Sequence, residues 1–233
     1  QLYKKGASIP SVIAFLLASP WANLPITILL FGFFGFKAIV LIISAILIAI
    51  ITGLVFQLID SKNMIEKNPF KTTIKENFSI KKDIYIRLKG ADKSFSSIFT
   101  STKLIAFGSW NLAKMVLWWI VIGMLLASFA RAFVPSHLFA AYMGATFVGL
   151  IITLIAATII EVCSEGSSPI AFEIYNQTGA FGNSFVFLMA GVATDYTEVG
   201  LIWHNIGKRT ALLVPIITVP QILVLGYIFN FLF

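Results

Sequence analysis

Apolar residues run along this chain in blocks too long for a soluble core, and most polar positions fall between the blocks. Residues 38–59, 110–133 and 138–162 are each nearly unbroken apolar sequence of a length that lets an α-helix cross the hydrocarbon of a bilayer. A fourth block, residues 210–232, carries Pro215 and Pro220, which remove backbone donors and predict a kinked helix. Two more blocks are interrupted halfway. Residues 9–35 contain Pro20, Asn23 and Pro25, and residues 180–206 contain Gly191, Thr194, Asp195, Thr197 and Glu198. Each half covers only part of a bilayer, so these blocks predict either re-entrant hairpins or helices unwound at the midpoint.

The interrupted blocks resemble one another. Phe15-Leu16-Leu17-Ala18-Ser19 is followed by Asn23, and Phe187-Leu188-Met189-Ala190-Gly191 by Asp195. The shift (195 − 23 = 172) also places Tyr3 on Tyr175, Leu29 on Leu201 and Lys37 on Arg209. The fold expected is an all-α integral membrane protein, a polytopic helical bundle with two pseudo-symmetric repeats containing broken or re-entrant helices. If the broken blocks are re-entrant, three crossings separate equivalent points and the repeats are inverted; if they cross, there are four and the repeats are parallel. Inverted repeats are the expectation. Residues 1–59 form the first repeat, 60–105 a linker and 106–233 the second repeat of one membrane domain. The chain starts at Gln1 without an initiator Met or a signal peptide, which predicts an incomplete first repeat.

Composition agrees with the membrane reading: 58% of residues are hydrophobic, 12% are charged and the mean hydropathy is +0.93. The net charge of +7 gathers beside apolar blocks and in the linker, at Lys62, Lys67, Lys71, Lys75, Lys81, Lys82, Arg87, Lys89, Lys93 and Lys103. This is the distribution of a cytoplasmic membrane-flanking segment, and lipid headgroups account for it without nucleic acid. The expected setting is the plasma (inner) membrane. The linker holds an amphipathic run at residues 74–88 and no nucleotide-binding glycine loop, so it reads as a tether. One cysteine excludes an intrachain disulfide.

The densest polar cluster follows the third long block: Glu161, Cys163, Ser164, Glu165, Gly166, Ser167, Ser168 and Pro169. It is either a cavity-lining segment or a loop with a helix cap at Ser167 or Ser168. Asp195 and Glu198 stand three residues apart, one helical face, and acids inside apolar blocks mark sites that take a proton or a cationic substrate. Asn23 replaces the acid in the first copy. Cys163 is a candidate soft ligand, or an inert buried thiol. His137 and His204 lack metal-site spacing, Arg131 is placed to reach the headgroups, and Trp110, Trp118, Trp119 and Trp203 read as interfacial anchors. No cofactor is expected.

The run Cys163-Ser164-Glu165-Gly166-Ser167-Ser168-Pro169, then Phe187-Leu188-Met189-Ala190-Gly191 and Thr194-Asp195, resembles the predicted-permease family that includes the ArsP-type organoarsenical exporters. Leu2-Tyr3-Lys4-Lys5-Gly6-Ala7-Ser8, Phe15-Leu16-Leu17-Ala18-Ser19-Pro20 and Asn23 resemble its first repeat. In that family a Cys-Ser pair also precedes the first repeat, and the position equivalent to Cys163 falls before Gln1. The resemblance implies a multi-span inner-membrane permease rather than an enzyme, with trivalent organoarsenicals or another thiophilic compound as the implied cargo. The expected pathway is lined by Ser19, Pro20, Asn23, Cys163, Ser164, Glu165, Gly191, Thr194, Asp195 and Glu198, with protons as the coupling ion. Two other classes stay open: a structural or assembly subunit, and an intramembrane lipid-modifying enzyme using Asp195 and Glu198.

Overall fold

The structure is a computed structural model that describes residues 2–70, 85, 95–161 and 163–233; much of the linker, including most of the run 74–88, lies outside the described residues. Every long element among them is helical. A 3-10 turn at Tyr3–Lys5 leads to α1 (Ile9–Ala18), a second such turn (Ser19–Ala22), α2 (Leu24–Phe34) and α3 (Lys37–Ser61). Farther along come α4 (Phe95–Phe133), which begins within the expected linker, α5 (Ser136–Met143), α6 (Phe147–Ile160), α7 (Ser164–Thr178), α8 (Phe181–Thr194), α9 (Tyr196–Asn205) and α10 (Lys208–Leu232).

Among the described residues, four helical stretches are long and apolar enough to cross a membrane: Lys37–Ser61, Thr102–Phe133, Phe181–Asn205 and Lys208–Leu232. The pair α1–α2 qualifies as a broken one, bent by 55°. Residues 138–162, expected to be a third uninterrupted span, are not one: α5 and α6 meet at a bend of 105°. Gly144 and Thr146 both leave helical geometry there, and the Thr146 hydroxyl caps α6 by accepting from the Gly149 N–H at 3.0 Å. The cluster after Glu161 is likewise a helix rather than a loop, with Cys163 as its N-cap instead of Ser167 or Ser168.

α8 is the centre of the molecule. Every residue from Phe181 to Ala193 is buried, the pattern of a helix that is covered all round by others. α4 is its opposite, with only 11% of its apolar window buried and its Leu and Trp side chains exposed. Small residues let the helices approach closely: Gly123 of α4 lies against the Gly166 carbonyl, Gly53 of α3 against Ala14 of α1, and Gly226 of α10 against Gly182 and Val186 of α8. Ala14 and Val186 are equivalent under the 172-residue shift, as are the first residues of α2 and α9, Leu24 and Tyr196.

Contacts at the helix ends define two faces. On one, the chain after α3 forms a strap: Asn68 Nδ2 donates to the carbonyls of Tyr3 (2.9 Å) and Ala7 (2.7 Å). The Glu66 carboxylate accepts from the N–H groups of Arg209 (2.9 Å) and Thr210 (3.1 Å) and from the Thr210 hydroxyl (2.6 Å). On the other face, Lys37 Nζ donates to Tyr175 Oη at 2.7 Å and sits over the rings of Tyr175, Phe181 and Phe233 at 5.0, 5.4 and 5.3 Å. The course of the chain follows. α1–α2 leads from the strap face to the Lys37 face, α3 returns, α8–α9 leads from the Lys37 face to the strap face, and α10 returns. α3 and α10 are therefore antiparallel, bridged between their ends by Gln221 Nε2 donating to Thr52 Oγ1 at 3.1 Å.

α6 and α7 are a pair of half-length helices. α6 starts near the Lys37 face, where the Asn183 amide donates to the carbonyls of Met143 (2.9 Å) and Gly144 (3.2 Å), and α7 ends there at Tyr175. At their shared tip, Glu161 lies against Gly191 of α8.

Candidate functional site

Three interruptions of helix meet between the two faces: residues 19–23, Glu161 with Cys163 between α6 and α7, and Asp195. Each leaves backbone groups that neighbouring side chains must satisfy. Asn23 caps α2, its Oδ1 accepting from the Ile26 N–H at 2.8 Å, while its Nδ2 donates to Glu165 Oε1 at 3.1 Å. Ser164 Oγ donates to the other oxygen of that carboxylate at 3.2 Å. The first broken crossing is thus tied directly to the tip of α6–α7.

Cys163 caps α7, with Sγ accepting from the Gly166 N–H at 3.2 Å, and its side chain is half-buried. Glu161 ends α6 and turns its carboxylate inward. Oε2 accepts from Ser167 Oγ at 2.8 Å and lies against the Cα of Gly191, where any side chain would collide with it. The hydroxyls of Thr158 and Thr194 share a hydrogen bond of 2.7 Å, joining α6 to α8 one turn away.

At the second broken crossing, Asp195 caps α9 by accepting from the N–H of Thr197 at 2.9 Å and from its hydroxyl. Glu198 Oε2 is buried with no hydrogen-bond partner among the described residues. Its side chain lines a cleft of ≈ 700 Å³ with Tyr3, Phe15, Leu16 and Leu201.

Glu161 lies within electrostatic reach of Glu165, Asp195 and Glu198, so four carboxylates share the junction. Among the described residues none of them forms an ion pair, and no set of three His, Cys, Asp or Glu side chains is arranged to hold a metal ion.

Of the residues singled out from sequence, Asn23, Cys163, Ser164 and Glu165 are assembled at one edge of the junction, and Thr194, Asp195 and Glu198 at the other. Gly191 is not itself a break: it lies within α8, and its missing side chain makes room for Glu161. Among the described residues Ser19 bonds within its own turn, its hydroxyl donating to the Leu16 carbonyl at 3.3 Å, and Pro20 shapes that turn. Glu161, Ser167 and Thr158 were not among the expected pathway residues. The signal for Glu161 was present, an acid placed at the end of an otherwise apolar helix.

Searches of curated proteins and of solved structures each returned no match. A model of the predicted-permease family ArsP_1 matches residues 1–231. With nearly the whole chain covered, and with broken apolar helices meeting at acidic side chains, the protein belongs to the ArsP_1 predicted-permease family.

Proposed function

We propose that the protein is a secondary-type permease that moves a small solute past the four-carboxylate junction, with protons as the coupling ion. The observation that carries this reading is the meeting of three helix interruptions around Glu161, Glu165, Asp195 and Glu198. Acidic side chains gathered between apolar helices, with no cation bonded to them, are where a proton or a cationic group is carried across a membrane. Unwound backbone beside them is how transporters form a midplane site.

The two halves read as inverted repeats. The 172-residue shift carries α1, α2 and α3 onto α8, α9 and α10, and α3 runs antiparallel to α10. Both broken segments then cross the membrane, and α6–α7 is the re-entrant hairpin. Crossing and inversion are compatible because residues 138–162 do not add a full span. Lys4, Lys5, Lys62, Lys67, Lys208 and Arg209 all fall at or next to the strap face, which supports placing that face and the linker in the cytoplasm, with the protein in the plasma (inner) membrane.

Trivalent organoarsenicals are the first cargo to test, on the strength of the family resemblance. Cells expressing the full-length gene are loaded with methylarsenite or phenylarsenite. Lower accumulation than in control cells, abolished by Asp195→Asn and Glu198→Gln, is the expected result. Asp195→Asn is informative because asparagine keeps the helix cap and removes only the charge, as Asn23 does in the first copy. Unchanged accumulation would discard arsenicals as cargo. Export that survives both substitutions and ignores an imposed proton gradient would sink the carboxylate reading.

A further inference from the structure

A second polar feature lies apart from the junction, near the Lys37 face. Arg131, two residues before the end of α4, brings Nε to 3.9 Å from Glu173 Oε1 of α7. The two side chains differ sharply in setting, 71% exposed for Arg131 and 8% for Glu173. Glu173 Oε1 also accepts from Gln177 Nε2 at 2.7 Å. Among the described residues Arg131 forms no hydrogen bond, so its guanidinium is anchored at one edge and open at the other. A recess of ≈ 170 Å³ holds both charges together with Ser128 and Asn176.

Glu173 also forms the wall of an adjoining crevice of ≈ 370 Å³, otherwise almost wholly apolar. This crevice runs in depth. Val134 and Leu138 line it near the end of α4, and Ile160 and Phe187 line it toward the tip of α6–α7. α5, which has no buried residue and meets α6 at 105°, borders its upper end.

We propose that this is a binding site for a phospholipid whose headgroup carries a primary ammonium, the phosphate on Arg131, the ammonium on Glu173 and one acyl chain in the crevice. The charge pattern selects the ligand. A fork of N–H donors open to the surface suits a phosphate, and a carboxylate sunk beside it suits a cation able to donate hydrogen bonds. An anionic headgroup would meet Glu173 unfavourably, and a trimethylammonium would offer that carboxylate no N–H. The apolar slot extends from headgroup level toward the membrane centre, as an acyl chain does. The site is independent of the permease reading and stands or falls separately from it.

The test is retention of defined lipids by the purified full chain in native mass spectrometry, with phosphatidylethanolamine, phosphatidylcholine and phosphatidylglycerol offered at equal concentration. Phosphatidylethanolamine is expected to be retained about tenfold better than the other two, the scale of one charge-assisted hydrogen bond. Glu173→Gln, which keeps an acceptor for Gln177, removes that preference by lowering retention of phosphatidylethanolamine and raising that of phosphatidylglycerol. Arg131→Ala, at an exposed position, weakens all three, and Leu138→Trp blocks the crevice for all three. Equal retention of the three lipids by the wild-type chain, or an undiminished preference in a folded Glu173→Gln variant, would overturn the proposal.

Discussion

The carboxylate of Glu161 occupies the space that a side chain at Gly191 would need. One residue ends α6 and the other lies inside α8, so the absence of a single methyl group decides whether the tip of the hairpin seats against the central helix. Gly191→Ala is expected to displace the carboxylate and to cost about 1–3 kcal/mol of stability, the usual range for overpacking. Transport falls with it. Glu161→Gln combined with Gly191→Ala is expected to lose less than the sum of the two single losses, because both act on one contact. Flux in proteoliposomes, normalised to inserted protein, checks this.

Cys163 has a structural duty whatever the cargo. Its sulfur accepts the Gly166 N–H at the start of α7. Serine is a stronger cap of similar size, so Cys163→Ser is expected to keep or slightly raise the melting temperature. Cys163→Ala lowers stability by about 1 kcal/mol. Thermal unfolding in detergent separates the two, and an efflux defect shared by both variants, present in Cys163→Ser with intact stability, would isolate a role for the thiol in cargo contact.

The strap gives the protein a dependence on acid. Burial raises the carboxyl pKa of Glu66, but the Thr210 hydroxyl and the N–H groups of Arg209 and Thr210 outweigh it and hold the group below its ordinary value. A depressed folded pKa contributes stability above the unfolded value of about 4.3 and loses it as the pH falls through the folded value. Wild type is therefore expected to melt above Glu66→Ala at neutral pH, with the gap closing below about pH 4. Melting curves across a pH series check it; a gap that widens in acid would contradict the assignment.

Asn183 is buried completely, and its amide serves Met143, Gly144 and Thr153 while its Oδ1 accepts from Asn230 Nδ2 at 2.6 Å. Asn183→Ala strands several of these groups at the α5–α6 bend, at about 1–3 kcal/mol for each one left buried and unpaired. A loss of several kcal/mol, well beyond that of Asn230→Ala, is the expected result in denaturation measured by tryptophan fluorescence.

Much of this architecture is legible in the sequence where polar residues interrupt apolar runs. Asn23 and Asp195 both proved to be helix caps at equivalent breaks, and Lys37 and Arg209 both stand at the start of a long helix. The α5–α6 bend was hidden because Gly144 and Thr146 scarcely lower the hydropathy of residues 138–162, and length alone suggests a complete span. Glu161 was overlooked as a site residue because its importance comes from Gly191, thirty residues later in the chain and adjacent only in space. The buried carboxylate of Glu173 had the same difficulty, since Arg131 belongs to a different helix.

The bonds made by Glu66 and Asn68 fall before Phe70, so they stay with the first fragment if the polypeptide is divided beyond that point. Residues 1–70 would then carry their own non-covalent fastening for the start of α10, and Lys37 a second at the far ends of α7 and α10. The gene can therefore be split within the linker and its two products co-expressed, with reassembly of an intact body as the outcome. A tag or protease site placed there would report which side of the membrane the linker occupies without loosening what lies behind it.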